Sequence, residues 1–360
     1  MLAAVRLRWV LTSFTMPKTI TAAVLTNDTG AHLGAYFPAL AASPEAGRVV
    51  LGDPSGKAVA GARRGLGKKL VKVYKDHGEL LAAEKPEMAL VSMESRAAPR
   101  VIRQALEAGC HVFAEKPACL NAGEFAKLVK LADTKHLHLM LALANRTNPE
   151  TQAARKLISG GKIGKVYGIE LHIIADQTRL TNPAYHKRWY AQKARSGGGH
   201  LAWLGIHWLD LATYLTDTHV THVTGFAENV GGQPLDVEDS AAVALRYANG
   251  TLGTLTSGYY LNRGYHTHVK IWGSKGWLHL NRYGGKPLTW ESWKAGAPKG
   301  VQVWDGNTEP RGYTPFVQAA VRAAAGLAEP PVSSQESLRV LQTVYGLYRA
   351  QETGRTQSIG

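Results

Sequence analysis

Strand-like and helix-like patterns alternate along the first 143 residues, and this alternation limits the fold more than any other feature of the chain. Short apolar runs predict strands, and the segments between them carry apolar residues at helical spacing. Strands that alternate with helices in this way form a parallel sheet with helices on both faces. We therefore predict a doubly wound Rossmann domain over residues 17–143, with strands at 19–25, 48–53, 70–74, 88–93, 111–114 and 137–143.

The pattern changes after residue 143, where strand-like runs follow one another with few helices between them. Turn signals such as Asn249-Gly250 separate these runs, which is typical of antiparallel strands. We predict an α/β protein whose second domain, residues 144–360, is of the α+β type with a large, mostly antiparallel, open sheet. Its predicted strands are 166–174, 220–228, 240–248, 251–260, 267–272 and 276–282, and its predicted helices are 149–158, 198–215, 314–327 and 334–352.

Composition narrows the class of protein. A chain of 360 residues is long for one core, which favours two domains. Its two cysteines give no disulfide framework, so a cytoplasmic location is expected. The net charge of +15 is scattered and accompanies no nucleic-acid motif, and no apolar run approaches the ~20 residues that span a bilayer. We expect neither nucleic acid nor a membrane as a partner, and we expect residues 1–16 to be a disordered extension rather than a signal peptide.

The predicted strand 111–114 ends abruptly at Glu115-Lys116-Pro117. In an open α/β sheet, ligands bind in the crevice outside the carboxyl ends of the strands. A lysine held there by the following proline can exchange protons near neutral pH when burial or a nearby cation favours its neutral form. The alternative is a strand end with a solvated Glu-Lys pair.

A dinucleotide-binding turn should follow the first strand, but the sequence there does not meet the pattern G-x-G-x-x-G. Gly30 remains, and Asn27 and Thr29 can cap the next helix while its N-terminus faces an anion. Asp53 ends the second strand about twenty residues further on, where an acid accepts hydrogen bonds from a ribose diol and disfavours a 2′-phosphate. These residues favour NAD over NADP, with an ordinary solvated aspartate as the alternative for Asp53.

A second informative stretch begins with the glycines 197–199, which precede a predicted helix. His200, Trp203 and His207 share one face of that helix. Such histidines are often core or capping residues, but two of them around a tryptophan indicate a substrate pocket. No acid or cysteine completes a metal shell, so no metal site is predicted. Trp189 is one of eight tryptophans in the second half, and aromatic faces suit the C–H faces of sugars, although most should lie in the core.

With these motifs, the chain resembles the glucose–fructose oxidoreductase, inositol dehydrogenase and rhizopine-catabolism (Gfo/Idh/MocA) family. The resemblance extends from residue 19 to residue 356. It rests on Ala108-Gly109-Cys110-His111-Val112 before Glu115-Lys116-Pro117, on Gly197–Gly199 before Gly205, His207 and Asp210, on Ser159–Gly164, and on Val237-Glu238-Asp239.

The resemblance implies hydride transfer between NAD and a carbon of a sugar, cyclitol or glycoside. Lys116 would be the catalytic lysine that takes the hydroxyl proton, usually before a cis proline, and His207 would orient the substrate or carry protons. Asn145 and Arg146 would lie at the crossing between domains beside the active site. The resemblance also implies a homo-dimer or homo-tetramer, and cofactor contacts at Ser92, Glu94 and Glu115.

Three departures from the family pattern keep other functions open. Trp203 stands where many members have an aspartate, the glycine turn is degenerate, and a histidine common after the fourth strand is replaced near Ala98. We favour an NAD-dependent oxidoreductase acting on CH–OH groups. The alternatives are an enzyme that cleaves glycosides through transient oxidation and elimination, and a catalytically silent nucleotide or sugar sensor of the same fold.

Overall fold

A computed structural model describes residues 18–177 and 180–360. The extension predicted for residues 1–16 lies outside the described residues. The first sheet has six parallel strands in the order β3-β2-β1-β4-β5-β6. They are β1 Ile20–Thr26, β2 Ala46–Gly52, β3 Leu70–Tyr74, β4 Met88–Ser92, β5 His111–Ala114 and β6 Leu139–Leu141. The prediction of a Rossmann sheet is confirmed.

Helices cover both faces of this sheet, and the central strands β4 and β5 are almost wholly buried between them. The helices are α1 Leu33–Ala41, α2 Val59–Leu66, α3 His77–Glu84, α4 Ala98–Glu107 and α5 Ala122–Thr134. Asn121 caps α5, since its side chain accepts a hydrogen bond from the Glu124 backbone N–H at 2.9 Å.

The second sheet has nine strands in the order β14-β13-β12-β11-β7-β10-β9-β8-β15. Its neighbours are antiparallel except for β7 and β10. All six predicted strands are present, and three short ones were missed. The strands are β7 Val166–Asp176, β8 Val220–Glu228, β9 Ser240–Tyr247, β10 Leu252–Leu261, β11 Tyr265–Gly273, β12 Gly276–Leu280, β13 Leu288–Ser292, β14 Gln302–Val303 and β15 Gln357–Ser358.

One helix of the second half differs from its prediction. The helix predicted over 198–215 consists of a π-helical turn, Leu201–Gly205, that leads into α9. Such wide turns often occur at functional sites. The helices of this half are α6 Pro149–Ser159, α7 Pro183–His186, α8 Lys193–Ser196, α9 Ile206–Thr216, α10 Tyr313–Ala324 and α11 Ser334–Thr353.

The last two helices return to the first sheet. Helix α10 packs on α1. The hydroxyls of Ser334 and Ser337 accept hydrogen bonds from the backbone N–H groups of Leu139 and Leu141 on the edge strand β6, at 3.1 and 3.2 Å. Helices α10 and α11 therefore pack against the Rossmann domain, with α11 at the β6 edge of its sheet. The predicted first domain ends at residue 143 and does not include them. That boundary stays a prediction.

Two further findings bear on the class of protein. Within the described ranges, no helix combines the length and apolarity that crossing a bilayer requires. Cys110 and Cys119 are both buried free thiols rather than a disulfide.

Candidate active site

A cavity of about 740 Å³ lies between the two halves of the molecule, at the carboxyl ends of the Rossmann strands. Three residues of its wall come from different elements: Lys116 follows strand β5, Trp203 lies in the π-helical turn, and His207 lies on α9. Sequence reasoning predicted that these three side chains act together, and the structure brings them together. The cavity is at the position where open α/β sheets bind ligands.

Lys116 is buried in this wall, with 1% of its side chain exposed. Its Nζ donates a hydrogen bond of 2.6 Å to the backbone carbonyl of Trp203 and lies 3.4 Å from the centroid of the Trp203 ring. The Lys116–Pro117 bond is cis, as the resemblance implies. The alternative of a solvated Glu-Lys pair is therefore wrong. A lysine so enclosed and in contact with a cavity can exchange a proton with a bound ligand.

Glu115 lies behind Lys116 and is not part of the cavity wall. Its Oε1 is 3.9 Å from the Lys116 Nζ, and its Oε2 accepts hydrogen bonds from the Tyr36 hydroxyl and from His32 Nδ1, the latter at 3.0 Å. Burial raises the pKa of Glu115, but the charges of His32 and Lys116 and the two hydrogen bonds outweigh burial and leave this pKa below its ordinary value. Glu115 is therefore a carboxylate at neutral pH.

His207 is buried on α9 and faces the cavity. Its Nδ1 has no hydrogen-bond partner among the described residues. Burial lowers the pKa of His207 well below its ordinary value, and the positive charges of Lys116, Arg282 and His32 lower it further. His207 is therefore a neutral imidazole near pH 7, which can both donate and accept a hydrogen bond.

Aromatic rings next to Lys116 form a further part of the cavity wall. Trp203 stacks on His32 with ring centroids 5.5 Å apart, and it contacts the rings of Tyr190 and Trp189 at 5.2 and 5.4 Å. The Trp189 indole also donates a hydrogen bond of 3.0 Å to the carbonyl of Thr29 in the glycine turn. Trp189 thus joins the second half of the chain to the first directly above the cavity.

The glycine turn is tightly enclosed at Gly30. A Cβ at this position would lie 2.3 Å from Thr26 Oγ1 and 2.8 Å from Leu33 Cδ1, so only glycine fits. The Ser92 hydroxyl holds the next residue, Ala31, by donating to its carbonyl at 2.7 Å and accepting from its N–H at 3.0 Å. Ser92, predicted to contact the cofactor, acts here by fixing the turn.

The other predicted cofactor residues also shape this turn. Asn27 Oδ1 accepts from the backbone N–H and the hydroxyl of Thr29 at 2.9 and 2.6 Å. The Glu94 backbone N–H donates to that hydroxyl at 2.9 Å, while the Glu94 carboxylate binds Arg195 from the second half. His32 closes the turn with φ of 55°, in the left-handed region. Asn27, Thr29 and His32 therefore occupy the three positions of the glycine fingerprint.

Asp53 precedes Pro54 and Ser55, which line a second cavity of about 430 Å³ at the ends of β1 and β2. The alternative of a solvated aspartate is wrong, because Asp53 is 1% exposed. Its carboxylate accepts from the backbone N–H and hydroxyl of Ser55 at 3.0 and 2.6 Å, and from the backbone N–H of Ala58 at 2.8 Å. It orders the loop that lines this cavity with Pro54 and Ser55.

Three predicted substrate residues do not line the large cavity. His200 is buried, with its Nδ1 2.6 Å from the Ser257 hydroxyl. Arg146 is 2% exposed and is bound by the carboxylates of Asp210 and Glu336. Asn145 accepts a hydrogen bond from Arg282 beside a much smaller cavity. These side chains bind other parts of the protein and lie outside the wall of the large cavity, and direct substrate contact by them stays a prediction.

Sequence reasoning missed His32, Tyr190, Arg195 and Tyr313, which all line the large cavity. Tyr190 could have been inferred from its position next to Trp189. The fingerprint spacing could have indicated His32. Arg195 and Tyr313 come from segments without a recognisable pattern, so their contribution became visible only in the folded chain.

The two sheets and the cavity between them define a two-domain dinucleotide-binding protein. Two family models match the chain: "Oxidoreductase family, NAD-binding Rossmann fold" over residues 31–143 and "GFO/IDH/MocA C-terminal domain" over residues 151–279. The chain therefore belongs to the Gfo/Idh/MocA family of oxidoreductases. The first match begins at Ala31, after most of the degenerate turn.

Known proteins agree with this membership. The chain is 33% identical over 177 residues to an uncharacterised oxidoreductase of Schizosaccharomyces pombe, covering 49% of this chain and 46% of that protein. It is 26% identical to myo-inositol 2-dehydrogenase of Thermotoga maritima, covering 57% and 59%. The chain thus spans about half the length of the curated relatives it matches. The fold matches an oxidoreductase domain protein from Kribbella flavida with a TM-score of 0.84, at 22% identity, over 95% of this chain and 100% of that one.

Proposed function

We propose that the protein is an NAD-dependent oxidoreductase that transfers a hydride between nicotinamide and a hydroxyl-bearing carbon of a sugar, cyclitol or glycoside. The observation that carries this proposal is the position of Lys116, which is buried at the carboxyl end of β5 and lines the large cavity. Family membership and the name of the Thermotoga relative, an inositol dehydrogenase, support the substrate class.

Lys116 would accept the hydroxyl proton at Nζ during oxidation and return it during reduction. His207, as a neutral imidazole, would hydrogen-bond a second hydroxyl and so orient the ring. Trp203 and Trp189 would pack against the C–H faces of that ring. Because the cavity exceeds 700 Å³, it can hold a glycoside as well as a nicotinamide ring. Bound NAD would supply the acceptor or donor of the hydride.

The residues around Gly30 fit this cofactor. Gly30 lines the large cavity without a side chain, so a pyrophosphate could approach its backbone closely. The N-terminus of α1 adds favourable partial charge. The 430 Å³ cavity lined by Pro54 and Ser55 would hold the adenosine. Asp53 follows β2 directly, and an acid at that position would favour NAD over NADP.

The open face of the second sheet supports a homo-dimer or homo-tetramer. Large apolar side chains stand exposed on this face, with 70% of Phe226, 60% of Leu252 and 42% of Trp272 accessible. An apolar patch of this kind commonly marks an interface.

A panel of sugars, cyclitols and glycosides, followed at the nicotinamide absorbance, tests the proposal. We expect at least one member to be turned over with NAD, and Lys116→Met to lower that turnover by at least about 10²-fold while NAD binding is retained. The matched control is Lys130→Met, which removes an exposed lysine from α5. Full activity in Lys116→Met would reject the assignment of Lys116. Absence of turnover across the panel, with NAD bound, would favour a silent sensor.

A further inference from the structure

The site has no carboxylate at position 203, where the indole of Trp203 instead stands over the Lys116 Nζ at 3.4 Å. We propose that His32, oriented by Glu115, takes the place of the missing acid as the second proton-transferring residue. This inference rests on the proposed function and adds to it a residue from the glycine turn.

The contact between His32 and Glu115 fixes the form of the imidazole. His32 Nδ1 lies 3.0 Å from Glu115 Oε2, and a carboxylate can only accept hydrogen bonds. Nδ1 must therefore carry a proton, and in the neutral imidazole this leaves a lone pair on Nε2. A carboxylate orients the catalytic histidine of serine proteases by the same kind of contact. Glu115 is held in turn by the Tyr36 hydroxyl on the same oxygen.

His32 also reaches the reacting groups. About a third of its side chain (32%) is exposed, and its ring lines the same cavity as Lys116 and His207. The Glu115 carboxylate lies 3.0 Å from His32 Nδ1 and 3.9 Å from Lys116 Nζ, so one anion connects both basic groups. The ring stacks on Trp203 at an interplanar angle of 18°, which fixes its orientation in the wall.

During oxidation, the C–H hydride of the substrate would go to bound NAD, and the hydroxyl proton goes to Lys116 Nζ as the carbonyl forms. Lys116 then passes this proton through a cavity water to His32 Nε2, and His32 releases it to solvent. Each oxidation thus yields one carbonyl product, one NADH and one proton, and Lys116 is neutral again for the next substrate.

The backbone conformation of His32 allows a substitution that removes Nε2 but keeps a hydrogen-bond donor for Glu115. Its φ of 55° is left-handed, a region that asparagine adopts more readily than most residues. In His32→Asn the side-chain amide nitrogen can still donate a hydrogen bond to Glu115, but no atom of asparagine replaces Nε2. His136→Asn is the matched control, because His136 also has φ of 55° and is exposed on the surface, outside the cavity.

With the substrate found in the panel, we expect His32→Asn to lower kcat by about 100-fold, while the Kd for NAD changes less than threefold. The kcat of His136→Asn should stay within threefold of wild type. A kcat of His32→Asn within threefold of wild type would overturn the proposal.

Nitrogen NMR of histidine-labelled protein tests the orientation without any turnover. Comparison with His32→Asn identifies the signals of His32. In the neutral ring, we expect the proton on Nδ1 and an unprotonated Nε2, the reverse of the tautomer that free histidine prefers. A proton on Nε2 would overturn the proposal even if the protein oxidises sugars. If no panel member is turned over, the proposed function fails, and the tautomer still decides whether Glu115 orients His32.

Discussion

Removing the charge of Asp210 is expected to destabilise the packing of α9 and α11 against the segment that follows β6, without affecting the site. Arg146 follows β6, Asp210 lies on α9 and Glu336 lies on α11. The Arg146 guanidinium makes three hydrogen bonds of 2.7 to 3.0 Å to Asp210, and one of 2.7 Å to Glu336. Both Arg146 and Asp210 are almost completely buried.

The expected loss of unfolding free energy follows from the burial of this ion pair. Removing one partner of a buried ion pair costs about 3–5 kcal/mol, because the other charge is left uncompensated. In Asp210→Asn, Glu336 still contacts Arg146, so we expect the lower end, about 3 kcal/mol. At roughly 2 °C per kcal/mol for a chain of this size, the melting temperature should fall by about 6 °C.

Differential scanning calorimetry on Asp210→Asn and on a matched control, Asp217→Asn, tests this expectation. Asp217 pairs with Arg155 at 3.7 Å but is 93% exposed, and its φ of 51° suits asparagine. An exposed pair contributes at most about 1 kcal/mol, so the control should melt within about 2 °C of wild type. Equal melting temperatures in both variants would refute the reasoning. So would an unchanged melting temperature with a raised KM for the sugar, because Arg146 would then be a substrate-binding residue after all.

Three further predictions concern the turn, the contact above it and the pH dependence of stability. Gly30→Ala should weaken NAD binding at least tenfold in calorimetric titration, because the added Cβ would lie 2.3 Å from a buried hydroxyl oxygen; unchanged binding would contradict the placement of the pyrophosphate. Trp189→Phe removes one hydrogen bond to Thr29, worth about 1 kcal/mol. Because this contact holds the turn in the conformation that binds the cofactor, the variant should bind NAD about fivefold more weakly in the same assay. Burial lowers the pKa of His111 from 6.5 to about 4, so the folded protein resists its protonation. This contribution to the unfolding free energy is complete above pH 6.5 and is lost as the pH falls through about 4. Urea unfolding of His111→Gln should therefore depend less on pH between those values than wild type; an identical dependence would assign the effect to other groups.

The sequence predicted well where local pattern decides structure. Strand β5 and the position of Lys116 followed from one apolar run and the charged pair after it. Strands β13 to β15 were missed because they are short, and in β13 polar residues and a tryptophan blur the alternation.

The features that needed the structure depend on contacts between distant residues. His32 meets Glu115 across 83 positions of the chain, and Arg146 meets Asp210 across 64. Arg146 carries a charge that suits a substrate site, but only its distant partners show that the charge is already neutralised within the protein. Conversely, His32 stands where the family pattern has a glycine, and only the folded turn reveals its left-handed backbone and its contact with a carboxylate.

The central claim, that the cleft at Lys116 serves a nicotinamide cofactor despite its degenerate glycine turn, is tested most directly by native mass spectrometry of the purified protein. Any nucleotide released on denaturation is then identified, and binding is repeated with added NAD and NADP. We predict one NAD or NADH per chain, either retained through purification or taken up on addition, with NADP bound more weakly. Failure to bind either nucleotide at millimolar concentration would contradict the account and leave a Rossmann fold without its redox chemistry.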